Sequence, residues 1–158
     1  MASRRSRQDA LRILDPARAI RAIADAVGRA ARRELVELVV TAWVDAIPER
    51  ELGEHYAKAL AGLPPEDLRD VAGWGASGVA VAIPSREFLV RAFASLGGAR
   101  RETLRIAACL RAEAAFDAGV SEQQVLNTVL PFLSRAQLTE LARESTELYV
   151  ADRLGTEN

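Results

Sequence analysis

Apolar residues recur along most of the chain at intervals of three or four, which is the spacing of one face of an α-helix. The longest such stripe begins at Ile20 and continues to Ala46. Sustained alternation of apolar and polar residues, the pattern of a half-buried strand, does not occur. The pattern therefore predicts an all-α protein, built as a bundle or short solenoid of about six to eight helices.

The predicted helix starts share one local pattern, in which Pro or Ser follows an apolar residue and an acid or Gln stands shortly after. Residues 118–138 contain it twice, with Ser121 and Gln124 and with Ser134 and Gln137. The serine hydroxyl can accept from a free backbone N–H while the glutamine reaches back, which is a capping box. Gly119 is expected to end the preceding helix in the left-handed conformation.

The long N-terminal stripe is expected to break. Asp15-Pro16 is a helix start with a capping carboxylate, and Gly28 lies inside the stripe. An unbroken helix would be roughly 45 Å long, more than the diameter of a domain of this size. We therefore expect either a break at Gly28 or an oligomer that covers the overhang. The later helix over residues 100–118 is apolar around most of its circumference, which predicts a central position.

Charge is unevenly placed along the 158 residues. Residues 1–33 carry nine Arg and three acids, a net charge of +6, and the remainder carries −7. Residues 1–14 are predicted to be a basic flexible arm, and residues 15–158 a single all-helical domain. Such a basic head can bind nucleic acid, an acidic partner or the acidic body of a second copy.

No apolar run is long enough to span a bilayer, and the N-terminus lacks the apolar core of a secretory signal. The expected location is the cytoplasm, with no membrane partner.

The sequence predicts no metal or cofactor. His55 is the only histidine and Cys109 the only cysteine, so a site with several such ligands is excluded. The Gly-x-G-x-x-Gly pattern at 73–78 follows a predicted helix rather than the strand that a dinucleotide site needs. We therefore predict a non-enzymatic interaction or assembly module that binds a protein partner or itself, with Trp43 and Trp74 as candidate anchors.

A first alternative comes from residues 111–130, which resemble a helix-turn-helix DNA-binding motif. Ala115 stands at the small-residue position, Gly119 at the turn and Val125 at the packing position of the second helix. The resemblance implies that three side chains face base edges: Gln123, Gln124 and Asn127. The second helix has no Lys or Arg, so phosphate contacts fall to arginines elsewhere. They are Arg4, Arg5 and Arg7 in the arm, with Arg100, Arg101, Arg105 and Arg111.

A second alternative comes from the segment Arg50-Glu-Leu-Gly-Glu-His55. It resembles the Arg-x4–6-His motif of HEPN ribonucleases, which are all-helical and usually dimeric. The resemblance implies RNA cleavage by Arg50 and His55. Acidic neighbours, among them Glu51 and Glu54, would repel a phosphate backbone.

Overall fold

The computed structural model describes residues 15–75 and 85–157, with the side chains of residues 73–75, 156 and 157 left out. These residues form eight α-helices and no strand, which confirms the predicted all-α class and number of helices. The helices are α1 Pro16–Ala26, α2 Arg29–Ala46, α3 Leu52–Leu60, α4 Pro65–Gly75, α5 Arg86–Ala94, α6 Arg100–Asp117, α7 Glu122–Val129 and α8 Arg135–Glu157. Three short 3-10 helices cover Glu49–Glu51, Gly97–Ala99 and Leu130–Phe132.

Both predicted capping boxes are present. The backbone N–H of Gln124 donates to Ser121 Oγ at 3.2 Å, and the N–H of Ser121 donates to Gln124 Oε1 at 2.9 Å. The same two bonds join Ser134 and Gln137, at 3.2 and 2.9 Å. Each box satisfies two backbone donors that a helix start leaves without partners, so α7 and α8 begin where the local sequence directs.

The N-terminal stripe breaks at Gly28, the first of the two expected outcomes. Asp15 caps α1 by accepting from the N–H of Arg18 at 3.0 Å. The helix ends at Ala26, and the backbone of the following Val27 is extended, with φ −95° and ψ 162°. The N–H of Gly28 then donates to Asp152 Oδ2 at 3.2 Å, and α2 begins at the next residue. At the break, the backbone N–H of Gly28 is therefore satisfied by a side chain of α8.

The end of α6 also follows the prediction. Gly119 has a φ of +96°, a conformation that costs little only for glycine. Its N–H donates to the carbonyl of Phe116 at 3.0 Å, and the N–H of Val120 donates to that of Ala115 at 2.9 Å. These two bonds form a Schellman motif, which satisfies two C-terminal carbonyls of α6.

The contacts divide the chain into two compact units, unit 1 with Met1–Trp43 and Ser121–Asn158, and unit 2 with Val44–Val120. The single domain expected over residues 15–158 stays a prediction. In unit 1, α1 packs against α8 and also contacts α7. The completely buried side chains of unit 1 include Ile20, Ala24, Leu35, Val39, Leu126 and Ser145. The hydroxyl of Ser145 donates to the Leu141 carbonyl at 2.6 Å, so this polar group is satisfied.

Unit 2 is arranged around α6, which contacts α3, α4 and α5 and so takes the predicted central position. The Leu104 and Ala107 side chains of α6 are completely buried. On α3 and α5, the rings of Tyr56 and Phe93 stack with centroids 4.0 Å apart. This aromatic pair adds directional packing to the apolar core of the unit.

Candidate functional site

Two of the predicted base-reading side chains are bonded to α1 within unit 1. Gln123 Nε2 donates to Asp25 Oδ1 at 2.5 Å. Arg21 Nε donates to Asn127 Oδ1 at 2.9 Å. Both amides lie at positions that the helix-turn-helix resemblance turns toward DNA, but here they join α7 to α1. Gln124, the third predicted reader, is exposed, and its side-chain oxygen caps α7.

Glu122 adds a charged contact between α7 and α2. Its side chain is only 11% exposed, and its carboxylate lies 3.5 Å from Arg33 Nε and 3.6 Å from Arg29 Nε. The pKa of Glu122 is lowered, first by a hydrogen bond from its own backbone N–H. The Arg33 contact and the charges of Arg29 and Arg32 lower this pKa further, while burial opposes them. The lowered pKa keeps this carboxylate charged to a lower pH than an ordinary glutamate.

These contacts form a polar clasp between α7 and the two N-terminal helices. The residues of the polar clasp are Glu122, Gln123 and Asn127 on α7, with Arg21, Asp25, Arg29 and Arg33 on α1 and α2. All the bonds join residues far apart in sequence, so no local pattern could have revealed them. Opposite charges at 29, 33 and 122 were the only sequence signal.

The four arginines of α6 that were candidates for phosphate contacts have partners within unit 2. Arg101 Nη1 donates to the carbonyls of Val44 and Ile47 at 2.7 and 2.8 Å, and so caps the end of α2. Arg100 pairs with Glu49 at 3.1 Å. Arg105 donates to the carboxylate of Asp45, and Arg111 donates to the carbonyl of Lys58. These side chains hold the helices of unit 2 together, which is a structural role.

The two residues of the HEPN-like motif lie on adjacent elements. Arg50 is exposed in the first 3-10 helix, and His55 is half-buried in α3. Glu54, beside His55, pairs with Lys58 at 3.2 Å. The acids of the segment thus remain next to the motif, and RNA cleavage by Arg50 and His55 stays a prediction.

Of the two predicted tryptophan anchors, only Trp43 has a side chain that the structure describes. Trp43 is half-buried near the end of α2, whereas the side chain of Trp74, like Arg4, Arg5 and Arg7, lies outside the described part of the chain. Among the described residues of unit 1, large apolar side chains are exposed elsewhere. They are Phe132 (69% exposed), Val150 (50%) and Leu154 (58%). Sequence reasoning missed all three.

Val150 and Leu154 lie one turn apart on α8, with the exposed Ala151 between them, and we call these three residues the α8 strip. On an α-helix, Val150 points about 140° away from Ser145, which belongs to the buried face. The four-residue spacing of two apolar residues off that face was the signal available in the sequence. Such a strip can contribute to a protein–protein contact.

Within the described ranges, no group of three or more His, Cys, Asp or Glu residues is placed to hold a metal ion. None of the described helices combines the length and apolar character needed to cross a membrane. No model of a known protein family matches the chain, and no curated protein sequence or solved structure matches it either.

Proposed function

We propose that this protein is a non-enzymatic assembly module that associates with a second copy through apolar side chains exposed on unit 1. The observation that carries the proposal is the α8 strip, with Val150 and Leu154 half-exposed on one face. Phe132, more exposed still, lies at the turn before α8, at the opposite end of that helix from the strip.

The exposed apolar surface sets the strength that we expect. Fully burying a Val or Leu side chain contributes about 1.5–3 kcal/mol, so covering what Val150 and Leu154 leave exposed contributes about 1.6–3.2 kcal/mol per copy. Two copies raise the gain to about 3–6 kcal/mol. Association itself costs about 4–15 kcal/mol, so the expected complex is weak and depends on protein concentration.

The charge distribution supports self-association through a second contact. Residues 1–33 carry a net charge of +6 and the rest of the chain −7, so head and body of two copies attract. Within unit 1, Arg21, Arg29 and Arg33 already face groups of α7. Arg32 donates to the carbonyls of Ala24 and Val27. Arg18 and the arginines of residues 1–14 are therefore the ones assigned to this contact, which salt should weaken.

The alternative functions receive less support. Base readout would need the amides of Gln123 and Asn127, which are engaged with α1, and α7 offers no Lys or Arg to a phosphate. Both the helix-turn-helix function and the HEPN-like function remain predictions. Co-sedimentation with mixed DNA and RNA fragments distinguishes them from self-association, because only they require nucleic acid.

Sedimentation velocity from micromolar to millimolar protein tests the proposal. We expect the weight-average sedimentation coefficient to rise with concentration, and the rise to disappear in a Val150→Lys, Leu154→Lys variant. Ala22→Lys, Ala26→Lys is the matched control, since it places the same two charges four residues apart at exposed positions of α1, outside the strip. A chain that stays monomeric throughout this range, or an association that both variants reduce equally, contradicts the proposal.

A further inference from the structure

The polar clasp holds α7, a short helix that buries few apolar side chains of its own. With eight residues, α7 is the shortest α-helix in the described part of the chain. Isolated helices of this length are unstable in water, so α7 depends on its tertiary contacts. Its only completely buried apolar side chain is Leu126, because Val125 and Val129 are half-buried.

Two of the clasp bonds, Arg21–Asn127 and Gln123–Asp25, are themselves open to water, whereas the Glu122 side chain is only 11% exposed. Arg21, Asp25 and Asn127 are exposed, and the Arg29 side chain is 75% exposed. Exposed polar pairs contribute little each, and salt screens the charged ones. By contrast, α8 is 23 residues long and packs along α1 with a completely buried Ser145.

We infer that α7 is a releasable strap, which the polar clasp holds against α1 and α2 and which opens before the rest of unit 1 unfolds. Opening uncovers Leu126 and frees the amides of Gln123 and Asn127 for other contacts. Loss of the clasp bonds, or screening by salt, therefore raises the fraction of molecules with α7 released while α1 and α8 stay paired. The inference is independent of self-association through the α8 strip.

Hydrogen exchange followed by mass spectrometry of the full chain tests the strap. In an Arg21→Ala, Asp25→Ala variant we expect the amides of residues 122–130 to exchange about tenfold faster, because two side-chain bonds are lost. Amides in the middle of α8, around Leu141, should keep their rates. Raising the salt concentration of the wild-type protein should accelerate the same α7 amides by a few-fold, also without a change in α8.

Arg18→Ala is the matched control, because it removes another exposed arginine from α1 while leaving the two clasp bonds in place. We expect it to leave exchange in α7 unchanged. The strap is refuted if the double variant and salt leave α7 exchange as it was. It is equally refuted if α7 and α8 accelerate together, because α7 then opens only when the whole unit unfolds.

Discussion

Replacing Glu122 with glutamine removes the charge of the buried carboxylate while keeping its size. The wild-type carboxylate lies 3.5 Å from Arg33 Nε and 3.6 Å from Arg29 Nε. A hydrogen bond to a charged group contributes about 1.5–3 kcal/mol. The partner side chains are 42% and 75% exposed, so they regain water when the carboxylate is neutralised. The cost should therefore stay near 1.5–3 kcal/mol and below the ~3–5 kcal/mol of an ion pair broken in the dry interior.

Urea unfolding followed by tryptophan fluorescence measures this cost. Trp43 belongs to unit 1 and Trp74 to unit 2, so a Trp74→Phe background leaves a single fluorophore in the unit that contains Glu122. We expect the unfolding midpoint to fall at pH 7 with little change in the slope, because the surface exposed on unfolding is the same. Glu34→Gln, which neutralises an exposed acid of α2, is the control and should change the stability by less than ~0.5 kcal/mol.

The pH dependence gives the sharper test. The folded protein lowers the pKa of Glu122 from its ordinary value of 4.5. The unfolded chain therefore binds the proton more tightly than the folded one, and the charge contributes stability above pH 4.5. This contribution is lost as the pH falls from 4.5 through the lower pKa of the folded state. The difference between wild type and Glu122→Gln should thus be full at pH 7 and shrink below pH 4.5. An equal difference at pH 7 and at pH 3, or no difference at pH 7, refutes the reasoning.

Two predictions concern unit 2, and urea midpoints check both. Gly119→Ala should destabilise the protein by about 1–3 kcal/mol, because φ is +96° at this position. Gly53→Ala should instead stabilise it by about 0.5–1 kcal/mol, because Gly53 lies in a helix and an added methyl group meets nothing within 4 Å. Equal effects of the two substitutions would contradict the backbone argument. Arg101→Met should cost about 1–3 kcal/mol, since two carbonyls at the end of α2 lose their donor. Arg100→Met removes a surface pair with Glu49 and an exposed bond to the Gly97 carbonyl, neither of them at the end of α2, and should cost less than Arg101→Met. A larger loss at Arg100 would show that capping α2 is not what matters.

The helix boundaries near Ser121, Ser134 and Gly119 could be predicted because the decisive interactions span no more than five residues. The break at Gly28 was one of two outcomes that the sequence left open, and its N–H bonds to Asp152, 124 residues away. A serine and a glutamine three residues apart form a capping box through their own backbone. The positive φ of Gly119 ends its helix locally. Such features depend on chain geometry alone, and therefore sequence reasoning can place them.

The candidate sites were less predictable, and α7 shows the reason. Its amides have the residue types and spacing of DNA-reading side chains, yet Gln123 contacts Asp25 and Asn127 contacts Arg21, 98 and 106 residues away. An amide bonds equally well to a base edge or to a neighbouring side chain. The residue type alone therefore does not determine which of the two partners the amide binds.

By itself, the sequence determined that this chain is all-α and where several helices begin and end, because those choices depend on hydrophobic period and on bonds between near neighbours. Only the tertiary structure decided which faces of α7 and α8 are engaged and which are exposed. The polar clasp and the α8 strip both depend on how helices distant in sequence pack together. Packing removes some polar groups and apolar side chains from water and leaves others, such as Val150 and Leu154, in contact with it.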